Sequence, residues 1–410
     1  MRFEKVILND VATVYDSLHK SPQYTKTGIP MVRVRDLEFG FLKLQNTAFV
    51  DRDTYEEFSK KHKPTKGDIV FSRVGSYGIT SYVDSDDVFC LGQNTVVIVS
   101  DKINSKFLYY KLLSPIVRQQ IEMMVTGSTQ KTISLKNIRN LELYIPELKS
   151  QQKIARFLYS IDKKINVNET IILNLEELAQ TLFKHWFIDF EFPNEDGKPY
   201  KSSGGKMVES ELGMIPEGWS KGVLKDITLN FDRKRVPLSK LEREKRDKIY
   251  PYYGAASLMD YVDNFIFDGI YVLVGEDGTV IDDKGYPILQ YVWGKFWVNN
   301  HAHVLQGNNN FTTEFIYLLL KRTNVSNIVT GAVQPKINQT NLNKIPAIIP
   351  NENVLDQFNE IISSVFTKKR QIKDENNSLE KLRDTLLPKL LSGEIELPDD
   401  MEVTDDVPIS

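Results

Sequence analysis

The chain is poor in cysteine and has no long run of apolar residues. Cys90 is the only cysteine among 410 residues, so no disulfide can form within the chain, as is usual in a reducing compartment. No apolar run approaches the ~18 residues that a membrane-spanning helix needs. The first ten residues, MRFEKVILND, contain no apolar stretch followed by a small-residue cleavage site, so they do not resemble a secretion signal. We therefore expect a soluble, cytoplasmic protein without a membrane partner.

Short motifs that accompany common catalytic chemistry are also absent. The sequence has no Gly-x-x-x-x-Gly-Lys-Ser/Thr phosphate loop, no Gly-x-Gly cofactor turn after a strand, no Asn/Asp-Pro-Pro-Tyr/Phe run and no His-Glu-x-x-His pair. These absences argue against an enzyme that carries its own catalytic centre, such as a fused methyltransferase-nuclease. We expect a non-catalytic chain that binds no cofactor itself.

The charge is small in total but unevenly distributed. The formal net charge is -3, yet the last segment, GEIELPDDMEVTDDVPIS from Gly393 onward, carries seven acidic residues and no basic one. The preceding part is therefore mildly basic, which is compatible with nucleic-acid binding without establishing it.

An internal repeat organises the chain. The segment TGSTQKTISLKNIRNLELYIP at 126–146 aligns without a gap on TGAVQPKINQTNLNKIPAIIP at 330–350, at an offset of 204 residues. This gap-free register predicts two copies of one domain. The seven identical pairs among 21 positions are Thr126 with Thr330, Gly127 with Gly331, Gln130 with Gln334, Ile133 with Ile337, Asn137 with Asn341, Ile145 with Ile349 and Pro146 with Pro350.

Each repeat is followed by apolar residues in alternating steps of four and three. This spacing is typical of helices that pack side by side as a coiled coil, because it keeps one stripe facing the partner helix. The first stripe is Ile154, Leu158, Ile161, Ile165, Ile172, Leu175, Ala179, Leu182 and Trp186, and the mostly apolar second, in the same phase, is Phe358, Ile362, Val365, Lys369, Ile372, Asn376, Leu379, Arg383, Leu386 and Leu390.

One polar residue, Asn168, interrupts the first stripe, and another asparagine, Asn376, lies in the second stripe. If the helices pack antiparallel about their centres, facing residue numbers add up to 544, so Asn168 faces Asn376. A buried asparagine pair would fix the register of the helices at some cost in stability. The alternative is that both side chains are solvated.

Weaker echoes and a linker complete the organisation. Leu8-Asn-Asp10 resembles Leu224-Lys-Asp226, Phe107-Leu-Tyr-Tyr resembles Phe315-Ile-Tyr-Leu, and Gly75-Ser-Tyr-Gly78 resembles Gly275-Glu-Asp-Gly278. Between the copies, a segment rich in Gly, Pro, Ser and charge ends at Trp219, as a linker does. Short β-rich runs mix with brief helical ones ahead of each long helix, which predicts an α+β fold.

These features resemble the specificity subunits of type I restriction-modification enzymes across almost the whole chain. The resemblance rests on the Thr-Gly-x-x-Gln-x-x-Ile run that closes each domain, the Pro before each helix, and Gln151-Gln152-Lys-Ile after the first. The linker pieces His185-Trp-Phe-Ile-Asp-Phe190 and Leu212-Gly-Met-Ile-Pro-Glu-Gly-Trp219 also fit. The second copy departs from the pattern, because Pro350-Asn-Glu-Asn-Val-Leu-Asp-Gln357 lacks the Gln pair.

The resemblance implies two target-recognition domains, each reading one half of an asymmetric double-stranded DNA site. It also implies two helices that set the gap between the halves and carry two methyltransferase (M) subunits and the motor-nuclease (R) subunits. Those partners would use S-adenosylmethionine, ATP and Mg. The implied order is target-recognition domain 1 at 1–149, spacer helix 1 at 150–190, a linker at 191–218, target-recognition domain 2 at 219–350, spacer helix 2 at 351–393 and an acidic tail at 394–410.

Candidate DNA contacts are Arg, Lys, Asn and Gln in loops, because these side chains pair with phosphates and base edges. Each could equally be an ordinary surface residue, and Tyr252 and Tyr253 could belong to the core. Since Gln130 and Gln334 recur in both copies, we expect them to anchor the DNA backbone. The candidates are Arg33, Arg35, Lys66, Arg73, Gln93, Asn94, Gln130 and Lys131 in the first domain and Arg233, Lys234, Arg235, Tyr252, Tyr253, Lys295, Asn300, His301, Gln334 and Lys336 in the second.

His301-Ala-His303 invites a metal site, because alternate residues of a strand share one face. No acidic or cysteine ligand is evidently paired with these histidines in the sequence, so we expect no metal. A DNA-facing or packing role is simpler.

Overall fold

A computed structural model describes residues 2–127, 130–331 and 333–398. Most of the acidic tail predicted at 394–410 lies outside the described residues. The chain divides into two compact units, of which unit 1 comprises Met1–Glu169 and Asp374–Ser410, and unit 2 comprises Thr170–Lys373. Each of the two long helices therefore contributes one part to each unit.

The helices are short except for two of about 40 residues. Their bounds are α1 Leu8–Val11, α2 Arg52–Phe58, α3 Ser105–Leu113, α4 Pro115–Met124, α5 Leu135–Arg139, α6 Leu148–Phe187, α7 Leu224–Ile227, α8 Lys240–Glu244, α9 Thr313–Lys321, α10 Gln339–Asn343 and α11 Glu352–Ser392.

The strands are short and mostly antiparallel. Their bounds are β1 Glu4–Ile7, β2 Ala12–Asp16, β3 Tyr24–Thr25, β4 Ile29–Val32, β5 Gly40–Phe41, β6 Ala48–Val50, β7 Ile69–Ser72, β8 Thr80–Tyr82, β9 Cys90–Leu91, β10 Thr95–Ser100, β11 Glu142–Ile145, β12 Met207–Ser210, β13 Gly213–Pro216, β14 Ser220–Val223, β15 Thr228–Asn230, β16 Tyr250–Tyr253, β17 Leu258–Val262, β18 Phe267–Gly275, β19 Leu289–Val298, β20 Ala302–Gly307 and β21 Pro346–Ile349.

Each unit is built on one larger sheet that packs against a short helix. In unit 1 the sheet order is β2-β10-β7-β8-β5, and in unit 2 it is β15-β20-β18-β19-β16-β17. The apolar runs that predict strands supply the buried faces, with Phe71 and Ile98 fully buried in unit 1 and Val272 and Leu305 in unit 2. The α+β fold with two repeated domains is confirmed.

The two units share the pairing and register of the strands at which each repeat begins and ends. β1 pairs with β11 so that Glu4 lies opposite Ile145, and β14 pairs with β21 so that Ser220 lies opposite Ile349. These pairs are related by the offsets of 216 and 204 residues that the sequence echoes indicate. The helices α3 and α9 also begin alike, since their N-caps Asn104 and Thr312 both accept a hydrogen bond from the backbone N–H three residues on.

One of the weaker sequence echoes is wrong by three residues. The backbone N–H of Gly75 donates to Lys131 (2.9 Å) and that of Gly278 donates to Pro335 (3.1 Å). Gly75 therefore corresponds to Gly278, and Arg73 to Glu276, rather than Gly75 to Gly275. A Gly-x-x-Gly spacing is too short to reveal a change in loop length, whereas the hydrogen-bond register does.

The long helices pack antiparallel, as the alternating stripe predicts. In unit 1 the Arg383 guanidinium donates to the Asp162 carboxylate (2.8 Å), and further along Asn168 meets Asn376, so the numbers rise on one helix as they fall on the other. In unit 2, Lys369 of the second stripe forms an ion pair with Glu176. The stripe is thus apolar with polar residues paired across it.

The asparagine pair lies inside this stripe, and both side chains are 1% exposed. The amide of Asn168 donates to the side-chain oxygen of Asn376 (2.7 Å) and to Glu375 (2.8 Å), and Asn376 donates to the carbonyl of Ile165 (3.3 Å). The two residues therefore face each other and are not solvated. Their role in fixing the register stays a prediction.

Replacing only Asn168 by leucine should destabilise the protein, since the buried side-chain oxygen of Asn376 then loses the donor at 2.7 Å. We expect a loss of about 1–3 kcal/mol in the free energy of unfolding, measured by urea denaturation. The double variant N168L/N376L should recover this loss, because two leucines pack without a buried polar group. Equal stability of the single and double variants would contradict a direct interaction between the two side chains.

Candidate nucleic-acid interface

The repeated Thr-Gly segment forms the same tight turn in both units. Thr126 and Thr132 exchange backbone hydrogen bonds of 3.0 and 2.8 Å, and Thr330 and Lys336 exchange two of 2.8 Å. We call the described residues of these segments, which are 126, 127 and 130–132 in unit 1 and 330, 331 and 333–336 in unit 2, the shared turns. The first contains four exposed described residues and the second contains six, so each projects from its unit.

The glycine of each shared turn is required by its backbone. Gly127 has φ +99° and Gly331 has φ +86°, a region that L side chains rarely adopt. A Cβ on either glycine would lie 2.5 or 2.3 Å from the carbonyl oxygen of Gln130 or Gln334. The identity of these glycines is therefore explained by the fold of the turn.

A further identical pair, Ile133 and Ile337, fastens the shared turns to their units. Ile133 and Ile337 are fully buried, and their backbone N–H groups donate to Arg73 (3.0 Å) and Glu276 (2.9 Å). Each turn thereby joins the end of a central strand, β7 or β18.

The repeated asparagines also have a structural role. The side-chain amide of Asn137 donates to the carbonyl of Met124 (3.0 Å), and that of Asn341 donates to the carbonyl of Ile328 (3.2 Å). Each bond ties the short helix after the turn to the segment before it. The asparagines are thus used within the fold.

The repeated glutamines differ from the other identical pairs. Gln130 and Gln334 are exposed, and within residues 2–127, 130–331 and 333–398 neither side-chain amide has a hydrogen-bond partner. Beside Gln334, the apolar side chain of Val333 is 100% exposed. The backbone-anchoring role expected for the glutamines stays a prediction.

In unit 1 two of the predicted arginines are held in ion pairs. Arg33 makes two hydrogen bonds to the Asp36 carboxylate (2.7 and 2.9 Å), which raise the pKa of Arg33. Arg73 donates to Asp16 (2.8 Å), with both side chains 13% exposed. These arginines shape the loops, and only a rearrangement would free their guanidinium groups for DNA.

The other unit 1 candidates fall into two places. Asn94 lies beside the shared turn, since its carbonyl accepts from the N–H of Arg73 (2.8 Å). Lys131 belongs to the turn itself and is exposed, whereas Lys66 is exposed ahead of β7, at the opposite end of the strand from the turn. The structure does not bring every candidate to the shared turn; Arg35 is exposed, and Gln93 is half-buried next to Asn94.

In unit 2 a cluster of charged side chains underlies the shared turn. Arg235 contacts Glu276 (2.6 Å), and Lys336 contacts the other oxygen of the same carboxylate (3.2 Å). The His303 ring contacts Asp232 (2.6 Å) through Nδ1 and the carbonyl of Ile337 (2.8 Å) through Nε2. We call Asp232, Arg235, Glu276, His303 and Lys336 the ionic cluster.

The carboxylates of the ionic cluster are held in their charged form. Burial by itself would raise the pKa of Asp232, but the hydrogen bond and charge of His303 outweigh it and lower that pKa. Burial likewise opposes ionisation of Glu276, and the hydrogen bond from Arg235 with the nearby positive charges lowers its pKa. A lowered pKa means that the ionised carboxylate stabilises the folded unit.

The ionic cluster could be mistaken for a metal centre. Ligand atoms of Asp232, Glu276 and His303 lie within 4.8 Å of one another. Arg235 and Lys336 already bring positive charge to these carboxylates, so a divalent cation would have to displace them. His301 does not join the cluster, because it is exposed and contacts Asp277 (2.6 Å). His301 precedes β20, which begins at Ala302, so the two histidines do not lie together on a strand.

Among the remaining unit 2 candidates, the prediction that Tyr252 contacts DNA is wrong. It is 1% exposed, and its hydroxyl accepts from the N–H of Leu238 (2.9 Å), so it supports the core and cannot contact DNA. Tyr253 is half-buried against the Phe296 ring (5.8 Å between centroids), and burial raises its pKa. The exposed candidates are Arg233, Lys234, Lys295, Asn300, His301, Gln334 and Lys336.

Sequence reasoning missed the acidic partners and Val333. Asp16, Asp232 and Glu276 lie 57, 71 and 41 residues from their partners Arg73, His303 and Arg235, so no local spacing could reveal them. For Val333, the sequence did contain a signal: the residue stands next to the repeated Gln334, in a segment that the alignment already indicates as a loop.

The lowered pKa of Glu276 has a consequence for stability. Its carboxylate stabilises the folded unit above the unfolded pKa, and this contribution is lost as the pH falls through the lower folded pKa. Glu276→Gln should lower the free energy of unfolding at neutral pH by about 1–3 kcal/mol and weaken its dependence on acid pH. Thermal melts across a pH series measure both effects, with the exposed Glu360→Gln as control. An unchanged melting temperature would contradict the role of this carboxylate.

Known proteins with similar sequence or structure identify the family. The model of the type I restriction modification DNA specificity domain matches residues 2–177 and 216–381. The MjaIX specificity subunit of Methanocaldococcus jannaschii is 26% identical over an alignment of 321 residues that covers 73% of this chain and 71% of that protein. The HindI specificity subunit of Haemophilus influenzae is 23% identical over an alignment of 409 residues that covers 80% of this chain and 87% of that protein.

A solved structure supports the same fold. The crystal structure of a type I restriction-modification S subunit from M. genitalium matches with a TM-score of 0.59 at 18% identity, covering 95% of this chain and 96% of that one. In the part of the chain that the structure describes, no helix is long and apolar enough to cross a membrane. With the family model matched in both repeats, the chain belongs to the type I restriction-modification DNA specificity family, as a specificity subunit and not a catalytic one.

Proposed function

We propose that the two units each read one half of an asymmetric double-stranded DNA target. One observation carries this proposal. The shared turns have the same backbone hydrogen bonds in both units, but the residues around them differ in charge. Arg73 in unit 1 is replaced by Glu276 at the corresponding position of unit 2. Side chains around a common framework determine which bases are recognised, so different surroundings favour different half-sites.

The candidate surface has the chemistry that a DNA contact needs. The exposed Lys131, Arg233 and Lys234 can pair with phosphates, while Asn300 and the shared-turn glutamines offer both a donor and an acceptor to base edges. Arg33, Arg73 and Arg235 hold these loops in place through their ion pairs. The residues that position the loops are therefore different from those that we expect to recognise the bases.

The long helices suit a second role as spacer and scaffold. With 40 residues, α6 is about 60 Å long at ~1.5 Å per residue, and its length would set the number of base pairs between the two halves. Leu173 and Leu178 of α6 remain 69% and 53% exposed. Exposed leucines on a helix favour a protein partner, and we assign these two side chains to contacts with methyltransferase subunits, with motor-nuclease subunits added for cleavage. Those partners would supply the chemistry with S-adenosylmethionine, ATP and Mg.

The test of DNA recognition uses the chain assembled with its methyltransferase subunits. Mapping methylated sites in a host that lacks other methyltransferases should give one motif with two unlike halves and a fixed gap. A single palindromic motif would contradict two independent units. Methylation without sequence preference would leave only a scaffold function without DNA recognition.

The scaffold role predicts that the exposed leucines are needed for assembly. Leu173→Glu with Leu178→Glu should weaken binding of the methyltransferase subunit by at least about tenfold, because two apolar contacts, each of roughly 1.5–3 kcal/mol when fully buried, are replaced by charge. Leu241→Glu is the matched control, since Leu241 is 70% exposed on α8. Co-purification and titration calorimetry report the effect. Equal binding by the wild type and both variants would exclude contacts through Leu173 and Leu178.

A further inference from the structure

The shared turns contain one identical residue pair that the fold does not use. Gly127 and Gly331 are required by the backbone, Ile133 and Ile337 are buried, and the repeated asparagines bond to the main chain. Gln130 and Gln334 are exposed, without a hydrogen-bond partner among the described residues. A residue that recurs in two diverged domains without a structural reason points to a ligand feature that both domains meet.

The glutamine side chain limits what that feature is. Its amide offers a donor and an acceptor side by side. A phosphate only accepts hydrogen bonds, so it would use half of the amide and leave the carbonyl oxygen facing negative charge. The major-groove edge of adenine presents an N6 donor beside an N7 acceptor, and a glutamine amide pairs with both.

A second observation concerns the residue before each glutamine. Val333 is 100% exposed, so its methyl groups are open to contact with a ligand. Thr129, which lies outside the described residues, occupies the aligned position of the first copy. Both residue types carry a methyl group on Cβ, and apolar contact of this kind recognises the C5-methyl group of thymine.

The shape of the turns fits the same site. Each is a narrow pair of backbone segments closed by two hydrogen bonds and fastened at its base by a buried isoleucine. The major groove admits a two-stranded ribbon of this width. Lys131 lies one residue after Gln130, where its exposed ammonium group can reach a flanking phosphate. Lys336, two residues after Gln334, pairs with Glu276 instead.

From these observations we infer that both shared turns recognise an A·T base pair at the corresponding position of each half-site. Gln130 and Gln334 pair with the adenine edge, and Val333 contacts the thymine methyl in the second half. This inference rests on the proposed function and goes beyond the backbone anchoring expected from the repeat alone. The two half-sites thus differ in sequence but have one base pair in common.

The test measures base preference by the full chain with its methyltransferase subunits on double-stranded DNA. Once the wild-type motif is mapped, a set of duplexes with every substitution in one half-site at a time is titrated. Gln334→Ala should reduce discrimination at a single A·T position of one half by about 5- to 100-fold, with the other half unchanged. Gln130→Ala should act in the same way on the other half only.

A charged variant sharpens the test. Because a carboxylate accepts from the cytosine amino group, Gln334→Glu should shift the preference at that position from A·T toward C·G. Gln152→Ala and Gln371→Ala, exposed glutamines on α6 and α11, are the matched controls and should change no base preference. Melting temperatures equal to the wild type check that each variant is folded.

The possible outcomes separate the inference from the proposed function. If the variants weaken binding to all sequences alike, or if either half lacks an A·T pair, the glutamines do not recognise a base and the inference fails while two-part recognition stands. If the wild-type complex has no sequence preference, the proposed function itself fails.

Discussion

Burial of the apolar stripes of α6 and α11 is the interaction on which both units depend. An isolated helix with one apolar face is marginal in water, because its stability comes from packing that face. In unit 1 the stripe residues Ile154, Leu158 and Leu390 belong to the same core as Phe107 of α3. In unit 2 the later part of α6 and the beginning of α11 share a core with Phe315 of α9. Neither domain core is complete without the helix pair.

Polar groups then connect each domain to the helices at defined points. In unit 1 the Tyr110 hydroxyl donates to Asp162 (2.7 Å), which also accepts from Arg383. Burial raises the pKa of Asp162 against the opposing charge of Arg383. In unit 2 the Tyr291 hydroxyl donates to Glu314 (2.7 Å), which also contacts Arg370 (2.9 Å). A tyrosine, a carboxylate and an arginine therefore join domain to helix in both units. Such buried networks favour one arrangement over others, because a shift would leave charges unpaired.

The repeat, the helix pair and the facing asparagines were predictable, because they follow from local periodicity and symmetry within the sequence. The predicted stripe was less accurate toward the end of α6 and in the first half of α11. Phe183, Phe187 and Phe366 are buried there, but they fall outside the predicted seven-residue pattern. A straight helix drifts relative to a seven-residue repeat, and the domain cores there recruit neighbouring aromatic rings.

The candidate site was predictable only in part. The alignment of the two copies predicted the shared turns. It could do so because the same backbone structure requires the same glycine, isoleucine and asparagine in each copy. The roles of Arg33, Arg73 and Arg235 were not, because a basic loop residue looks the same in a sequence whether it is free or paired with a carboxylate. Tertiary structure alone brings Asp16 to Arg73 and Glu276 to Arg235.

The most direct test of two independent recognition units exchanges one for the other. The matching registers of β1 with β11 and of β14 with β21 define equivalent junctions, so residues 4–145 can replace residues 220–349 while both long helices are kept. The methylation motif of this chimera, assembled with its methyltransferase subunits, is then mapped. Our account predicts that both halves of the new motif equal the first half of the original one. An unchanged asymmetric motif would contradict it.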